Sequence, residues 1–312
     1  MRLIFFGTPR FAQIALERLL GSRHKVEAVV TTPDKPKGRG RQVAMSEVKE
    51  FALKRNLEVL QPENLKDAGF LKRIGEIGAD LFCVVAFRIL PEKLFALPRF
   101  GAMNLHASLL PRFRGAAPIE RALMAGATTT GVTTFQIAKS VDTGQILLSR
   151  EVAIGPQDTY EDLYPRLANM GAELLVETID RLEDGSISPV RQDDTLVSTA
   201  PKITPDDSPI DWNKPAVNIV NQIRGLAGSA DAFTNLGGRR LKILRASLAE
   251  TADGSALPGQ IVVADRTNGL IVAAGSGAVR LLEVCLEGKK RMDAQAFLNG
   301  IRIATGTRLT AS

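Results

Sequence analysis

Residues 2–7, Arg2-Leu3-Ile4-Phe5-Phe6-Gly7, decide the fold. Four apolar residues in succession, closed by a glycine, suit a short strand covered on both faces. An amphipathic stretch, Phe11–Leu20, follows at helical spacing, and a second apolar run, Lys25–Thr32, follows that. Strand, helix, strand is the unit of a parallel sheet, and the pattern recurs along the chain. Further strands are expected at Asp80–Phe87, Ala102–Ala107 and Gly131–Ile137, and helices at Ser46–Asn56, Ala68–Ile77 and Ala117–Ala125. A long helix is expected around Tyr160–Glu183, where Leu163, Leu167, Met170, Leu174, Leu175 and Ile179 recur at helical spacing behind the cap Asp158-Thr159. The expected class is α/β, with a doubly wound, mostly parallel sheet in the N-terminal part.

The character then changes. Ser186–Pro209 carries four prolines with several Asp and Ser, and reads as a linker or wrap-around arm. After a helix near Pro215–Leu226 come short β runs broken by glycine: Leu241–Ala246, Gly259–Val263, Leu270–Ala273 and Val279–Val284. They suggest a small C-terminal barrel or sandwich. The expected boundaries are a first domain over 1–189, a linker over 190–209 and a second domain over 210–312. No internal repeat is visible.

With 312 residues, 45% apolar and 24% charged, the chain is neither disordered, collagenous nor of low complexity. Lys and Arg number 40 against 34 Asp and Glu, a net charge of +6. Up to residue 204 the count is 27 against 24, and beyond it 13 against 10, so the shorter part is the more basic per residue. That balance is compatible with a polyanionic partner without identifying one. Two cysteines far apart, Cys83 and Cys285, argue against a disulfide framework or a Cys-based metal site. Cys83 reads as a buried, inert thiol inside Leu81–Val85. The N-terminal apolar run is too short for a signal peptide, and no run approaches the ~18 residues of a membrane span. A soluble, cytoplasmic protein is expected.

Three places carry chemistry. Gly7-Thr8-Pro9 sits where a nucleotide-binding fold has its phosphate loop, but the three glycines of the dinucleotide fingerprint and the Walker lysine are missing, so a tight turn suffices. Next, Pro33-Asp34-Lys35-Pro36-Lys37-Gly38-Arg39-Gly40-Arg41 packs Lys35, Lys37, Arg39 and Arg41 into seven positions with prolines and glycines that preclude a helix. Its charge suits phosphates, and an ordinary exposed basic loop would look the same. The strongest signal is Asn104-Leu105-His106-Ala107-Ser108-Leu109-Leu110-Pro111. On a strand Asn104 and His106 share a face, and carboxyl ends of strands form the ligand crevice of open α/β sheets. A lone His on an apolar strand is as often a satisfied core residue as a functional one. His24, between Arg23 and Lys25, looks like solvated surface. Asp142, before Thr143-Gly144, could orient His106 and favour its cationic form, or serve only as a turn-former.

Taken together, Asn104–Ile119 and Asp142-Thr143-Gly144 resemble the signature of the folate-dependent formyltransferase family, and within it the members that act on methionyl-tRNA. The basic loop is similar to that family's insertion into the tRNA acceptor stem. Ala200-Pro201-Lys202-Ile203 with Ile210-Asp211-Trp212 resembles its interdomain arm, and Gly288-Lys289-Lys290-Arg291-Met292 with Phe297-Leu298-Asn299-Gly300 the end of its barrel. Three segments depart from the pattern: Phe113 in place of Trp, Ala138-Lys139-Ser140, and Leu226–Ala230, which lacks a Pro-Trp-Pro element.

The resemblance implies a Rossmann-like formyltransferase domain, an OB-like tRNA-binding barrel, and transfer of the formyl group of 10-formyltetrahydrofolate to the α-amine of methionyl initiator tRNA. It implies no metal, no membrane, no obligatory protein partner and a monomer. Asn104 would donate to the oxyanion, and His106, oriented by Asp142, would move the proton from the amine toward the leaving folate nitrogen. Ser108, Leu109, Leu110 and Pro111 would line the folate pocket, with Arg88, Ile89 and Leu90 offering backbone groups to the pterin. Lys35, Lys37, Arg39 and Arg41 would meet the acceptor end of the tRNA. Arg239, Arg240, Lys242, Lys289, Lys290 and Arg291 would grip phosphates further along. A formyltransferase acting on a small nucleotide or sugar amine is the alternative, and the basic loop and basic C-terminal domain argue against it. A non-catalytic RNA-binding protein would leave Asn104, His106 and Asp142 unexplained.

Overall fold

The N-terminal apolar run forms the strand β1 (Arg2–Gly7), in which Leu3, Ile4, Phe5 and Phe6 are wholly buried. The computed structural model describes residues 1–37, 42–250 and 256–310, and for 35–37, 42 and 43 the backbone alone. After β1 come α1 (Arg10–Leu20), β2 (Lys25–Val30), and a hairpin of β3 (Lys35–Lys37) and β4 (Gln42–Ala44). Then follow α2 (Glu47–Lys54), β5 (Glu58–Leu60), α3 (Ala68–Ile77), β6 (Leu81–Val85), α4 (Glu92–Phe95) and β7 (Ala102–His106). The middle of the chain holds β8 (Arg114–Gly115), α5 (Pro118–Met124), β9 (Thr129–Gln136), β10 (Ile146–Ala153), α6 (Tyr160–Glu183) and β11 (Thr199–Ala200). The last third holds α7 (Ala216–Leu226), β12 (Ala232–Leu236), β13 (Arg239–Ala249), β14 (Ile261–Asp265), β15 (Gly269–Ala273), β16 (Ala278–Leu286), β17 (Met292–Asp293) and α8 (Ala294–Gly300).

Two compact units share these elements. The first comprises Met1–Gly115, Thr130–Val152 and Tyr164–Thr199; the second comprises Ala116–Thr129, Ala153–Leu163 and Ala200–Ser312.

In the first unit seven strands lie in the order β10-β9-β7-β6-β1-β2-β5. The pairs β2–β5, β1–β2, β1–β6 and β6–β7 are parallel, as the recurring strand–helix pattern requires. From β9 the sheet turns antiparallel. Ile4, Phe6, Val30, Phe82, Val84 and Ala102 point to one face, where Phe70, Ile74 and Ile77 of α3 and Leu94 of α4 cover them. The opposite face receives α6, which fits at Gly171: a Cβ there would lie 2.9 Å from Leu105. At the end of β1, a Cβ on Gly7 would fall 2.6 Å from the Cβ of Ala12 on α1. Close packing of the first strand against the first helix accounts for this glycine with no phosphate invoked.

The basic segment is more regular than expected, because its two arms pair as β3 and β4 from Lys35↔Ala44 to Lys37↔Gln42. Prolines exclude a helix there without excluding a short ribbon. Arg39 and Arg41 lie outside the described residues, as do the side chains of Lys35 and Lys37.

In the second unit the strands run β12-β13-β16-β15-β14, with β17 on β16. The tail bonds to both edges. Asn235 of β12 exchanges two hydrogen bonds with Thr310, and Ile261 of β14 exchanges two with Thr307 and Gly306. That closure gives the small barrel the C-terminal strand pattern suggested. Its core gathers Trp212, two residues of α7 (Ile219 and Ile223), three of the strands (Leu241, Val272 and Leu281) and Phe297 of α8. The Trp212 indole is buried and donates to the Thr234 hydroxyl at 3.0 Å.

Candidate active site

Strand β7 ends at the carboxyl edge of the sheet with Asn104 and His106, two residues apart and therefore on one face. His106 is only 6% exposed. Its Nε2 lies 2.8 Å from the carbonyl oxygen of Phe113. A carbonyl only accepts, so that nitrogen carries the hydrogen and donates. The other ring nitrogen, Nδ1, faces Asp142 Oδ2 at 3.9 Å.

At 3.9 Å the approach of Asp142 to His106 is longer than a hydrogen bond. The reason lies in the partners of each group. With its hydrogen on Nε2, a neutral ring has none at Nδ1 to offer. Asp142 Oδ2 instead accepts from the backbone N–H of Gly115 at 2.9 Å.

Asp142 is held by its turn. It sits at φ +54°, a left-handed conformation uncommon outside glycine, though Asp tolerates it better than most residues. Gly144 follows because a Cβ there would fall 1.6 Å from the Gln136 carbonyl oxygen. The Gln192 side chain donates to the carbonyls of both Asp142 and Gly144, at 2.9 and 2.8 Å.

The loop after β7 is packed rather than open. Ser108 is completely buried, and its hydroxyl donates to Arg112 O at 2.6 Å. Thr133 Oγ1 donates to Ser108 O at 2.7 Å and accepts from Leu110 N–H at 3.2 Å. Leu109 lies over Gly131, where a Cβ would come within 2.6 Å of it. Leu110 and Pro111 are buried as well. The side chains of Ser108, Leu110 and Pro111 thus build the loop, and Leu109 is the one of the four that stays partly exposed.

The turn after β6 is the opposite. Ile89 is 73% exposed. Among the described residues no backbone–backbone hydrogen bond uses the N–H or C=O of Arg88, Ile89 or Leu90. The Arg88 guanidinium holds this turn by donating to the carbonyls of Pro62 and Glu63 at 2.7 and 2.9 Å. The Asn104 amide, half-buried beside it on the sheet edge, makes no hydrogen bond among the described residues. Unpaired backbone groups and a free amide fit a flat, hydrogen-bonding heterocycle such as a pterin.

The basic residues of the barrel divide into two kinds. Arg291 bonds bidentately to Glu283, its first cause of a raised pKa, and lies 2.8 Å from Glu161. Lys242 pairs with Asp231 at 2.9 Å. Both cations therefore have carboxylate partners, with which their expected contacts to phosphate would compete. Arg239, Arg240, Lys289 and Lys290 are exposed at one end of the β13–β16 ladder, with Arg240 stacked over the Phe233 ring at 4.1 Å. No ion pair forms at Lys289 or Lys290 among the described residues.

His24 also departs from expectation. It is buried, not solvated, with Nε2 3.2 Å from Asp180 Oδ1. Burial is the first cause that lowers its pKa. The Arg23 and Lys25 neighbours suggested surface, but the ring sits between the N-terminal amine, 3.1 Å from Nδ1, and Asp180.

Comparison with known proteins shows the family. The formyl transferase family pattern matches residues 1–179, and that of the formyl transferase C-terminal domain matches residues 202–302. The chain belongs to the formyl transferase family. Proteins named methionyl-tRNA formyltransferase are similar to it end to end. The Acidobacterium capsulatum protein is 45% identical over 100% of both chains, and the Symbiobacterium thermophilum protein is 45% identical over 99% of this chain and 95% of its own. Among solved structures, a sugar 3N-formyltransferase called WlaRD, crystallised with dTDP and 5-N-formyl-THF, superposes with a TM-score of 0.66. An N-formyltransferase from Helicobacter canadensis, in complex with folinic acid and dTDP-3-aminofucose, superposes with a TM-score of 0.63. Each is 20% identical and covers 93% of this chain and 99% of its own, a likeness of fold. Among the described residues no helix is long and apolar enough to cross a membrane.

Proposed function

We propose that the chain transfers the formyl group of 10-formyltetrahydrofolate to the free α-amine of methionyl initiator tRNA, the reaction that prepares this tRNA for translation initiation. The observation that carries the reading is the end-to-end match to proteins named methionyl-tRNA formyltransferase, in a chain that aligns Asn104 and His106 on one strand end beside Asp142. The cosubstrate supplies an activated one-carbon acyl group, and the protein supplies placement and proton transfer.

In this reading the amine attacks the formyl carbon, and negative charge grows on the formyl oxygen. The unpaired Asn104 amide donates to it. His106 takes the proton released by the amine at Nδ1, because Nε2 already carries a hydrogen held by Phe113 O. Asp142, facing Nδ1, stabilises the imidazolium so formed, and the proton then passes to the departing folate nitrogen. Burial of His106 excludes bulk water from this exchange. Arg88–Leu90 receive the pterin through backbone groups. Lys35, Lys37, Arg39 and Arg41 meet the acceptor end, while Arg239, Arg240, Lys289 and Lys290 hold phosphates. The reading draws Asn104, His106 and Asp142 from this chain alone and so needs no second copy, and tRNA as substrate supports action in the cytoplasm.

The test is an assay with purified protein, 10-formyltetrahydrofolate and methionyl initiator tRNA, read as formylmethionyl-tRNA by mass. Free methionine, nucleotide amines and sugar amines serve as competing acceptors. Formylation of a sugar or nucleotide amine in preference to the tRNA overturns the reading.

A further inference from the structure

The segment from Gln192 to Ser198 lies in the stretch whose composition reads as linker, yet it is bonded to both sides of His106. Gln192 is 5% exposed. Its Nε2 donates to Asp142 O at 2.9 Å and Gly144 O at 2.8 Å. Its Oε1 accepts from Arg114 Nε at 3.0 Å and Arg114 Nη2 at 2.7 Å. A side-chain amide has two donor hydrogens and two lone pairs, and all four are used. Arg114 reaches on to Asp194 at 3.1 Å. On the other side, Ser198 Oγ accepts from Phe113 N–H and Ser198 O from Arg114 N–H, each at 2.9 Å.

These bonds fall where the backbone needs them. Asp142 and Phe113 sit at φ +54° and +58°, and each supplies one of the two groups that face the His106 ring. Such conformations cost about 1–3 kcal/mol each and persist where the surroundings impose them. A tether requires length alone. A buried amide saturated by two turn carbonyls and a guanidinium instead fixes a geometry, because removing it strands buried carbonyls.

We propose that Gln192 is a positioning residue for the reaction, holding the Asp142 turn so that its carboxylate stays on the Nδ1 side of His106. Arg114 locks the Gln192 amide, and Ser198 fixes the Phe113 carbonyl at Nε2. The inference rests on the formyl-transfer reading for its kinetic consequence, though not for its geometric one.

The decisive variant is Gln192→Glu. It keeps the shape and the bond to Arg114 but has no hydrogen for the Asp142 and Gly144 carbonyls. The expected result is a fall in kcat of up to ~10²-fold, with KM for tRNA and folate little changed, since misplacement of reacting groups costs rate rather than binding. In an Asp142→Ala background the same change is expected to cost no further turnover. Equal losses in both backgrounds, or full turnover in Gln192→Glu alone, overturn the proposal. If the glutamate variant does not fold, Gln192→Met, of similar length and without charge, carries both tests. A substrate-free readout separates this proposal from the reaction itself. The chain has two histidines, so the ¹⁵N imidazole signals of His106 are assigned by comparison with His106→Ala. A shifted His106 ring signal in Gln192→Glu supports positioning even if wild-type protein formylates some other amine, and an unmoved signal overturns it.

Discussion

At the carboxyl edge of the first unit, His106, Asp142, Gln192 and Arg114 are bonded to one another or to the backbone, and His106 and Gln192 are almost wholly buried. At the end of the β13–β16 ladder in the second unit, Lys289 and Lys290 stand exposed and unpaired among the described residues. The two regions serve different physics. Acyl transfer needs donors and a base fixed before the substrate arrives, within a few tenths of an ångström. Phosphate binding acts through charge and released counterions, which tolerate mobile side chains. Arg291 is the informative exception: it stands next to two free lysines in sequence and is clamped between carboxylates in space.

The largest effect expected from this contrast is at the fixed edge. His106→Ala should lower kcat by ~10²–10⁴-fold, the range for loss of a proton-transfer group. Asn104→Ala should cost ~10²–10³-fold, as for one oxyanion donor. Asp142→Ala should lower kcat severely as well, because it also leaves the Gly115 N–H without its acceptor. All three should bind tRNA as the wild type does. Single-turnover rates at saturating tRNA check this, and near-normal turnover in either His106→Ala or Asp142→Ala breaks the assignment.

Much of this edge is legible in the sequence, for identifiable reasons. Asn104 and His106 share a face because a strand alternates, and the helices α3 and α6 match their spacing to the residue. Three things are hidden. The His106–Asp142 separation depends on which ring nitrogen Phe113 takes, and a carbonyl leaves no mark in a sequence. Gln192 lies in a proline- and aspartate-rich stretch whose composition is that of a tether. Arg291 and Lys289 look alike as letters; only the approach of Glu161 and Glu283 separates them. The strand β12 and the closing tail escape a reading by pattern because neither carries an apolar run long enough to stand out.

A smaller effect separates the two kinds of cation. Exchanging Lys289 and Lys290 for Gln should raise KM for tRNA while kcat stays intact at saturation. The salt dependence should flatten by ~0.7–0.9 in log K per decade for each phosphate no longer neutralised. Arg291→Met should leave the salt slope alone and lower Tm by a few degrees, because exposed ion pairs are worth at most ~1 kcal/mol after screening. Binding titrations at several salt concentrations, beside thermal melts, decide it. A flattened slope in Arg291→Met with unchanged Tm would show that this arginine meets phosphate after all.

The smallest expected effect concerns a charge that is neither fixed nor free. Glu120, in the first turn of α5, is largely buried, and burial is the first cause that raises its pKa above the ordinary 4.5. Its own backbone and the neighbouring Arg121 offset that only in part. A carboxyl whose folded pKa lies above its unfolded one binds its proton more tightly in the native state. Its contribution to stability is present below the unfolded pKa and is lost as pH rises through the folded value. At neutral pH the chain therefore carries a desolvated carboxylate at some cost. Glu120→Gln, which keeps shape and hydrogen-bonding capacity without the charge, should raise Tm by a few degrees at about pH 7–8. The gain should shrink toward zero as pH falls to about 4, where the wild-type carboxyl is protonated in both states. Paired melts of the two proteins across that window give the answer. A gain that stays constant with pH would place its origin in packing, and a loss at neutral pH would mean that the Glu120 carboxylate serves a partner.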